Sequence, residues 1–591
     1  MTLRKIYGGT LRFSALLLIC GPLLPAEAQD VDVQGNLTMH DSTDATVGNV
    51  LKEGVPFIHN FGTSNTFLGS GAGNFTMTGF NNTATGKSAF YSNTSGSDNT
   101  ATGFSALGSN DIGSRNTATG RTALFSNTSG TENTATGGSA LFFNTTGNFN
   151  TASGSNALRS NTIGSENTAS GAGALSSNTE GSFNTASGTN ALFSNTTGNY
   201  NTASGRDALF SNTTGSYNTA SGTYALNSNT TGNANTATGY GALQLNTTGF
   251  RNTASGYGAL TFNSTGNANT AIGYSALNFS GGNDNTAIGS NALTFNSGND
   301  NTAIGSNALT FSTGNANTAS GSGALTNNTT GNANTASGYQ ALQNNTTGGN
   351  NTASGTYAML SNTTGGANAA FGVNALESNT TGDRNSAMGL GALYSNTTGS
   401  NNTASGMALV NNRTGSYNTA IGFAADVSAG NLTNATAIGY GAIVNTSNKI
   451  RLGNTDITVI EGQVPYTYTS DRDEKEDFRA VDAEAVLAKL RGLSVTSWNY
   501  KGQDARQFRH YGPVAQDFFA AFGRDAVGTI GTPTTITSGD LDGILMIAAQ
   551  ALEKRTVEQE KQITDLKAEL EEIKRRVGGE VAANVASPTR F

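Results

Sequence analysis

From Asn65 to a degenerate unit that opens at Ala435, the chain runs through 23 frames of one repeat, and nothing constrains its fold more. The frame at Asn150 is NTASGSNALRSNTIGSE, and it reopens at Asn167, Asn184, Asn201, Asn218, Asn235 and Asn252, a period of 17 residues. Such a unit is too short for a helical hairpin, and no apolar face recurs at the spacing a helix needs. Two strand-length pieces, NTASG and ALxSN, are each closed by glycine or a glycine–polar pair. The pattern predicts a mainly β chain, with a parallel β-solenoid or β-roll of 16–17-residue coils over 65–448. Stacking at roughly 4.8 Å per coil would make it a rod of about 110 Å.

The columns of the repeat say what each coil buries. Ala holds the third place (Ala152, Ala169, Ala186), and Ala-Leu holds the eighth and ninth (Ala157-Leu158, Ala191-Leu192). Leu158 and its equivalents are expected to point inward, with alanine where nothing larger fits. Asn at the first and twelfth places is expected to form amide ladders that satisfy corner backbone groups. Four frames have 16 residues; those at Asn269, Asn285 and Asn301 shorten the NTTG corner, and the one at Asn402 shortens after Gly406. The first three also carry Ile272, Ile288 and Ile304 with Phe279, Phe295 and Phe311, which suggests bulkier filling behind a tighter corner. One Leu per coil is a thin core, and three coils sharing a central apolar seam would thicken it.

Composition narrows the function. Charged residues are 12% of the 591 and the formal net charge is −8, which argues against a nucleic-acid or anionic-membrane partner. Arg4, Lys5, the apolar run Phe13 to Leu24 and Ala26-Glu27-Ala28 resemble an export signal over 1–28, cut before Gln29. The run is too short for a membrane anchor, so no membrane insertion is expected. Cys20 is the only cysteine and lies within that signal, and His40, His59 and His510 are the only imidazoles. No metal and no cofactor are expected. An N-terminal cap region at 29–64 and connecting strands at 449–465, through Lys449–Leu452 and Ile457–Ile460, would bound the solenoid.

Units such as NTAIGYSAL resemble the left-handed β-roll heads of trimeric autotransporter adhesins, although those coils are a few residues shorter. The stretch Gly54 to Gly79 resembles bacterial tail-fibre-domain proteins. No alternating apolar strands precede Phe591, so the adhesins' own membrane anchor and self-export are not expected. Farther on, YTSDRDEKEDF, RHYGPVAQDF (Arg509 to Phe518) and the alanine-rich stretch Ile544 to Leu552 follow in order. They resemble the three blocks of the S74 peptidase family, the intramolecular chaperone of phage tail spikes and fibres. The resemblance implies a small α+β chaperone domain at 466–577 that assembles a homotrimer and then cuts itself free. Carried over, Ser470 is the nucleophile, Lys475 its general base and Thr469–Ser470 the scissile bond. Asp473 stands where that family usually has a basic residue. A lysine acts as base only when desolvated, and Asp473, Glu474, Glu476 and Asp477 surround this one with carboxylates. His510 beside Tyr511-Gly512 fits packing or orienting better than catalysis, and Trp498, the only tryptophan, fits a core position.

The last helix has a heptad seam over 545–577: Leu545, Ala549, Leu552, Thr556, Gln559, Ile563, Leu566, Leu570, Ile573 and Val577. The mixture of Ile, Leu and Val leaves strand number open, so the trimer rests on the family resemblance. After Gly578-Gly579 a disordered tail is expected. Together these features suggest an exported fibre or adhesin-like protein, at the cell surface or secreted, with a surface glycan or host receptor as partner. The alternatives are a purely structural fibre with an inactive chaperone, a β-helical polysaccharide-degrading spike, and an ice- or mineral-binding array. The repeats carry Asp and Glu singly at corners (Glu132, Glu166, Asp284), which disfavours the degrading spike.

Overall fold

A computed structural model describes residues 40–457, 459–461, 463, 470–501, 503–525 and 528–585. The expected export signal, and the part of the cap region before residue 40, lie outside them. The chain divides after Asn454 into two compact units.

The first unit is a parallel β-solenoid of about 23 turns. Each coil contributes one three-residue strand, such as Thr151–Ser153, and consecutive strands pair in parallel with like residues in register. Thr151 pairs with Thr168, Ala152 with Ala169 and Ser153 with Ser170. Alternation along the strand turns alanine inward and the two hydroxyl residues outward. The core is a column of alanines and leucines, with Ala152, Ala157 and Leu158 all fully buried.

The coil closes through left-handed backbone. In one turn Asn156, Leu158 and Glu166 have φ of 56°, 49° and 58°, and the pattern repeats along the stack. Gly154, at φ 136°, has no alternative: a Cβ there would lie 2.5 Å from the carbonyl oxygen of Gly171 in the next coil.

The expected amide ladders are present and buried. Asn150 Nδ2 donates to Gly164 O across its own coil (2.9 Å) and to Asn133 Oδ1 of the coil before (3.1 Å), while its backbone N–H donates to the same oxygen at 3.0 Å. Asn161 Nδ2 donates to Asn144 Oδ1 (2.8 Å) and also to Gly164 O (2.8 Å). The glycine carbonyl is thus held by both asparagines of its coil.

Two expectations about strands and filling are corrected. The ALxSN piece is turn in nearly all the 17-residue coils; it is strand in the three consecutive short coils, at Phe279–Ser280, Phe295–Asn296 and Phe311–Ser312, and again in the last coils, at Asp426–Val427 and Ile443–Val444. In the three short coils these segments pair in parallel with one another, Phe over Phe. The large residues of these coils do not fill the interior. Ile272, Ile288 and Ile304 stand on the outer face of the sheet, and Phe279, Phe295 and Phe311 are exposed and stack ring on ring. The second ladder breaks at the first short coil, where Ser280 follows Asn263 and neither Asn263 Oδ1 nor Ser280 Oγ has a partner.

Both ends of the stack are blunted. At the start, Val50–Lys52 and Val55–His59 form an antiparallel hairpin that pairs antiparallel with Thr66–Leu68. At the finish, Lys449–Leu452 pairs with Ala435–Ile438 and places Lys449 and Arg451 on the last edge, a means of discouraging further strand addition. Ile457, Val459 and Ile460 are not in a strand. In the final coils Asp426 occupies the column that holds Leu158 elsewhere. It is buried and accepts from the backbone N–H groups of Val427 (2.8 Å) and Asn411. Burial pushes its carboxyl up from the ordinary value, against those donors.

In the second unit the helices among the described residues are α1 (Ala483–Gly492), α2 (Ala515–Phe522) and α3 (Ser538–Val585). Its core is Val486, Phe518, Phe522 and Ile544. Trp498 is outside that core and only half-buried. Helix α3 continues through Gly578-Gly579, where the sequence suggested a tail.

Two measurements check this account. Asn218→Ala removes donors to Asn201 Oδ1 and Gly232 O and the acceptor for Asn235. It should cost about 1–3 kcal/mol in denaturant unfolding, whereas Thr219→Ala, on the outer face, should stay within about 0.5 kcal/mol. Asp426 has a raised folded pKa, so its contribution to stability is complete below the unfolded carboxyl range and is lost as pH rises through the folded value. Asp426→Asn should therefore melt higher than wild type at neutral pH, with the gap closing as pH falls toward 4; a constant gap would contradict the burial argument.

Candidate functional site: the serine–lysine contact at the start of the C-terminal unit

The segment at 470–477 folds back on itself through local hydrogen bonds. Asp471 Oδ1 accepts from the backbone N–H of Asp473 (3.0 Å), and the N–H of Lys475 donates to Arg472 O (3.2 Å). Asp is a residue that closes such turns with its own side chain. The reversal brings Lys475 back to Ser470, and Lys475 Nζ donates to Ser470 Oγ at 2.5 Å. The sequence-predicted pair is thus brought together. Thr469, the other side of the expected scissile bond, lies outside the described residues.

The four flanking carboxylates do not capture the lysine. Among the described residues no ion pair joins Lys475 to Asp473, Glu474, Glu476 or Asp477. Arg472 lies over the Phe478 ring, 5.6 Å from its centroid. Every residue from 470 to 482 is exposed. The contact therefore has the reach needed for proton transfer but lacks the water exclusion that turns an ammonium into a base.

Behind this segment, Asp482 caps α1, its Oδ1 accepting from the N–H groups of Glu484 and Ala485. Helix α1 is tied to α3 by an ion pair between Arg555 and Glu484. That guanidinium holds the exposed Glu484 carboxyl below its ordinary value.

Strands Thr496–Trp498 and His510–Gly512 pair antiparallel, with Trp498 opposite His510. The two rings stack at 4.7 Å, and Tyr500 meets both edge-on. His510 makes no hydrogen bond to Ser470 or Lys475 among the described residues, and its Nε2 and the Trp498 Nε1 are both without a partner. His510 thus packs in an aromatic cluster. Among the described residues no group of three His, Cys, Asp or Glu side chains could hold a metal ion, and no helix is long and apolar enough to cross a membrane.

Helix α3 uses two faces. Ile544, Ala548 and Ala551 are buried within the unit. The heptad seam is another face, on which Leu545, Leu552, Ile563, Leu566, Leu570, Ile573 and Val577 are each at least half exposed. The Thr556 hydroxyl within the seam donates to its own helix at Leu552 O.

Residues 470–527 match the family model of the S74 peptidases, described as the chaperone of endosialidase. The match begins at Ser470 and includes Lys475, the Trp498–His510 strand pair and α2. Among curated proteins none matches this chain.

Proposed function

We propose that this chain, a β-solenoid followed by an S74 chaperone domain, is an exported fibre that assembles as a homotrimer through its C-terminal unit. That unit then cuts its own chain once. The observation that carries the reading is the Lys475 Nζ–Ser470 Oγ hydrogen bond at the first residue of the matched domain. Ser470 Oγ attacks the carbonyl carbon of Thr469 and the C–N bond to Ser470 breaks. Lys475 takes the hydroxyl proton and passes it to the new amine of Ser470. Water then hydrolyses the ester, leaving a carboxylate at Thr469 and a fragment that begins at Ser470. In a single chain Lys475 is open to water. Assembly around the exposed seam of α3 would exclude water from the pair, so trimerisation precedes cleavage. The solenoid, released or not, serves as a spacer or adhesive stalk at the cell surface or in the medium, with a surface glycan or host receptor as its partner.

The exposure of Lys475 favours a second reading, a chaperone that assembles the fibre without cutting it. Intact mass of the purified chain beside Ser470→Ala and Lys475→Met decides between them. A fragment starting at Ser470 in wild type alone supports cleavage, and full-length wild-type trimers support the silent chaperone. Leu566→Asp places a carboxylate in the seam. It should sediment as a monomer and slow any cutting at least about tenfold; a monomer that cuts at the wild-type rate would remove assembly from the mechanism.

A further inference from the structure

The aromatic column on the flank of the solenoid ends in a hollow. Phe262, Phe279, Phe295 and Phe311 stack at 4.2, 4.9 and 5.2 Å with nearly parallel rings. The next coil has Asn327 in that column, and Asn327 is engaged with Asn344 of the coil after it. The column therefore stops at Phe311. In the same coil Gly323 takes the place that holds Asn291 and Asn307 in the two coils before and Gln340 in the coil after. The missing side chain opens a notch of about 570 Å³ lined by Asn307, Thr310, Phe311, Tyr339, Gln340 and Gln343. No charged residue lines it.

We propose that this notch is a binding site for a neutral pyranose, presented as a unit of a surface glycan. Rings at Phe311 and Tyr339, each nearly half exposed, offer apolar surface to the C–H face of a sugar. The side-chain amides of Gln340 and Gln343 make no hydrogen bond among the described residues, so each has donors and an acceptor available to sugar hydroxyls. Thr310 and Thr326 donate their hydroxyl protons to backbone oxygens and leave their lone pairs free to accept. The volume falls in the range of small-ligand sites. The absence of cations in the lining disfavours an acidic sugar or a nucleotide. The site deepens the adhesive reading given above and rests on it for its biological use, while binding itself can be measured without it.

The test uses the full mature chain and saturation-transfer NMR with cellotriose, maltotriose, mannotriose and a sialic acid trimer at millimolar concentration. Gly323→Asn fills the notch with the residue that the same column already carries at φ 56° and 55° in Asn291 and Asn307; its Cβ would lie 3.1 Å from Gln340 Cγ, so the Gln340 side chain shifts slightly to admit it. Wild type should bind at least one neutral trisaccharide and not the sialic acid trimer. Gly323→Asn and Tyr339→Ala should each weaken binding about tenfold or more. Gly173→Asn, which closes a separate hollow beside Arg159 and Phe193, should leave it unchanged. Neutral-sugar binding that survives Gly323→Asn would keep an adhesive stalk and remove the notch as its site. Binding of the acidic trimer alone, or of none of the probes, would overturn the proposal, and adhesion of the whole fibre to immobilised host glycoproteins would then be read separately.

Discussion

The solenoid depends on the hydrogen bond between an asparagine side chain and a glycine carbonyl. A coil this small gives three residues to its strand and the rest to turns; turn backbone pairs from coil to coil, as Leu158 N–H with Ala174 O and Thr162 N–H with Thr179 O, but the Gly164 carbonyl finds no backbone donor. The first and twelfth columns solve this from inside: Asn150 and Asn161 both donate to Gly164 O, and each also reaches the asparagine of the neighbouring coil. Since a buried carbonyl left without a donor costs about 1–3 kcal/mol, every corner would be a liability without these amides. With them, the corner becomes as regular as the strand.

Magnitudes show why the amides are needed. Burying a leucine contributes about 1.5–3 kcal/mol. Leu158 is fully buried but sits at φ 49°, a left-handed conformation that costs an L residue about 1–2 kcal/mol. The apolar gain of the column is thus largely offset by the geometry required to reach the interior. Beside the two alanines buried in each coil, what remains favourable is the buried amide network and the backbone pairing of strand and turn, which propagate from coil to coil. The polar ladders thus share with a thin core the work of holding the stack.

Much of this was legible because a repeat states its own pattern many times. Column identity alone pointed to inward Ala and Leu and to the two Asn ladders. The sequence misled where a residue type suggests burial and geometry decides otherwise. Ile272 and Phe279 look like filling, but position 4 faces outward on the strand and position 11 faces outward in the full-length coils as well, as Phe143 and Phe262 show. Trp498 likewise packs on His510 rather than in the core. Asp426 was within reach, since it breaks the Leu column of an aligned frame. The notch at Gly323 was not, because it arises from what is missing in one coil beside what stands in its neighbours. In the C-terminal unit the motif brought Ser470 and Lys475 to notice, but their meeting depends on the Asp471 turn, which spacing alone does not reveal.

A lattice of identical steps has translational degeneracy: any step can be mistaken for the next. A folding chain that loops out one 17-residue unit here would still find Thr over Thr, Ala over Ala and Asn over Asn, so the ladders that stabilise the stack cannot count it. The three consecutive 16-residue coils are different. Their Phe strands pair only with one another, and a unit looped out from among them would leave one strand pair where there are two. They act as an index mark on an otherwise unmarked ruler, fixing the phase of the coils on either side.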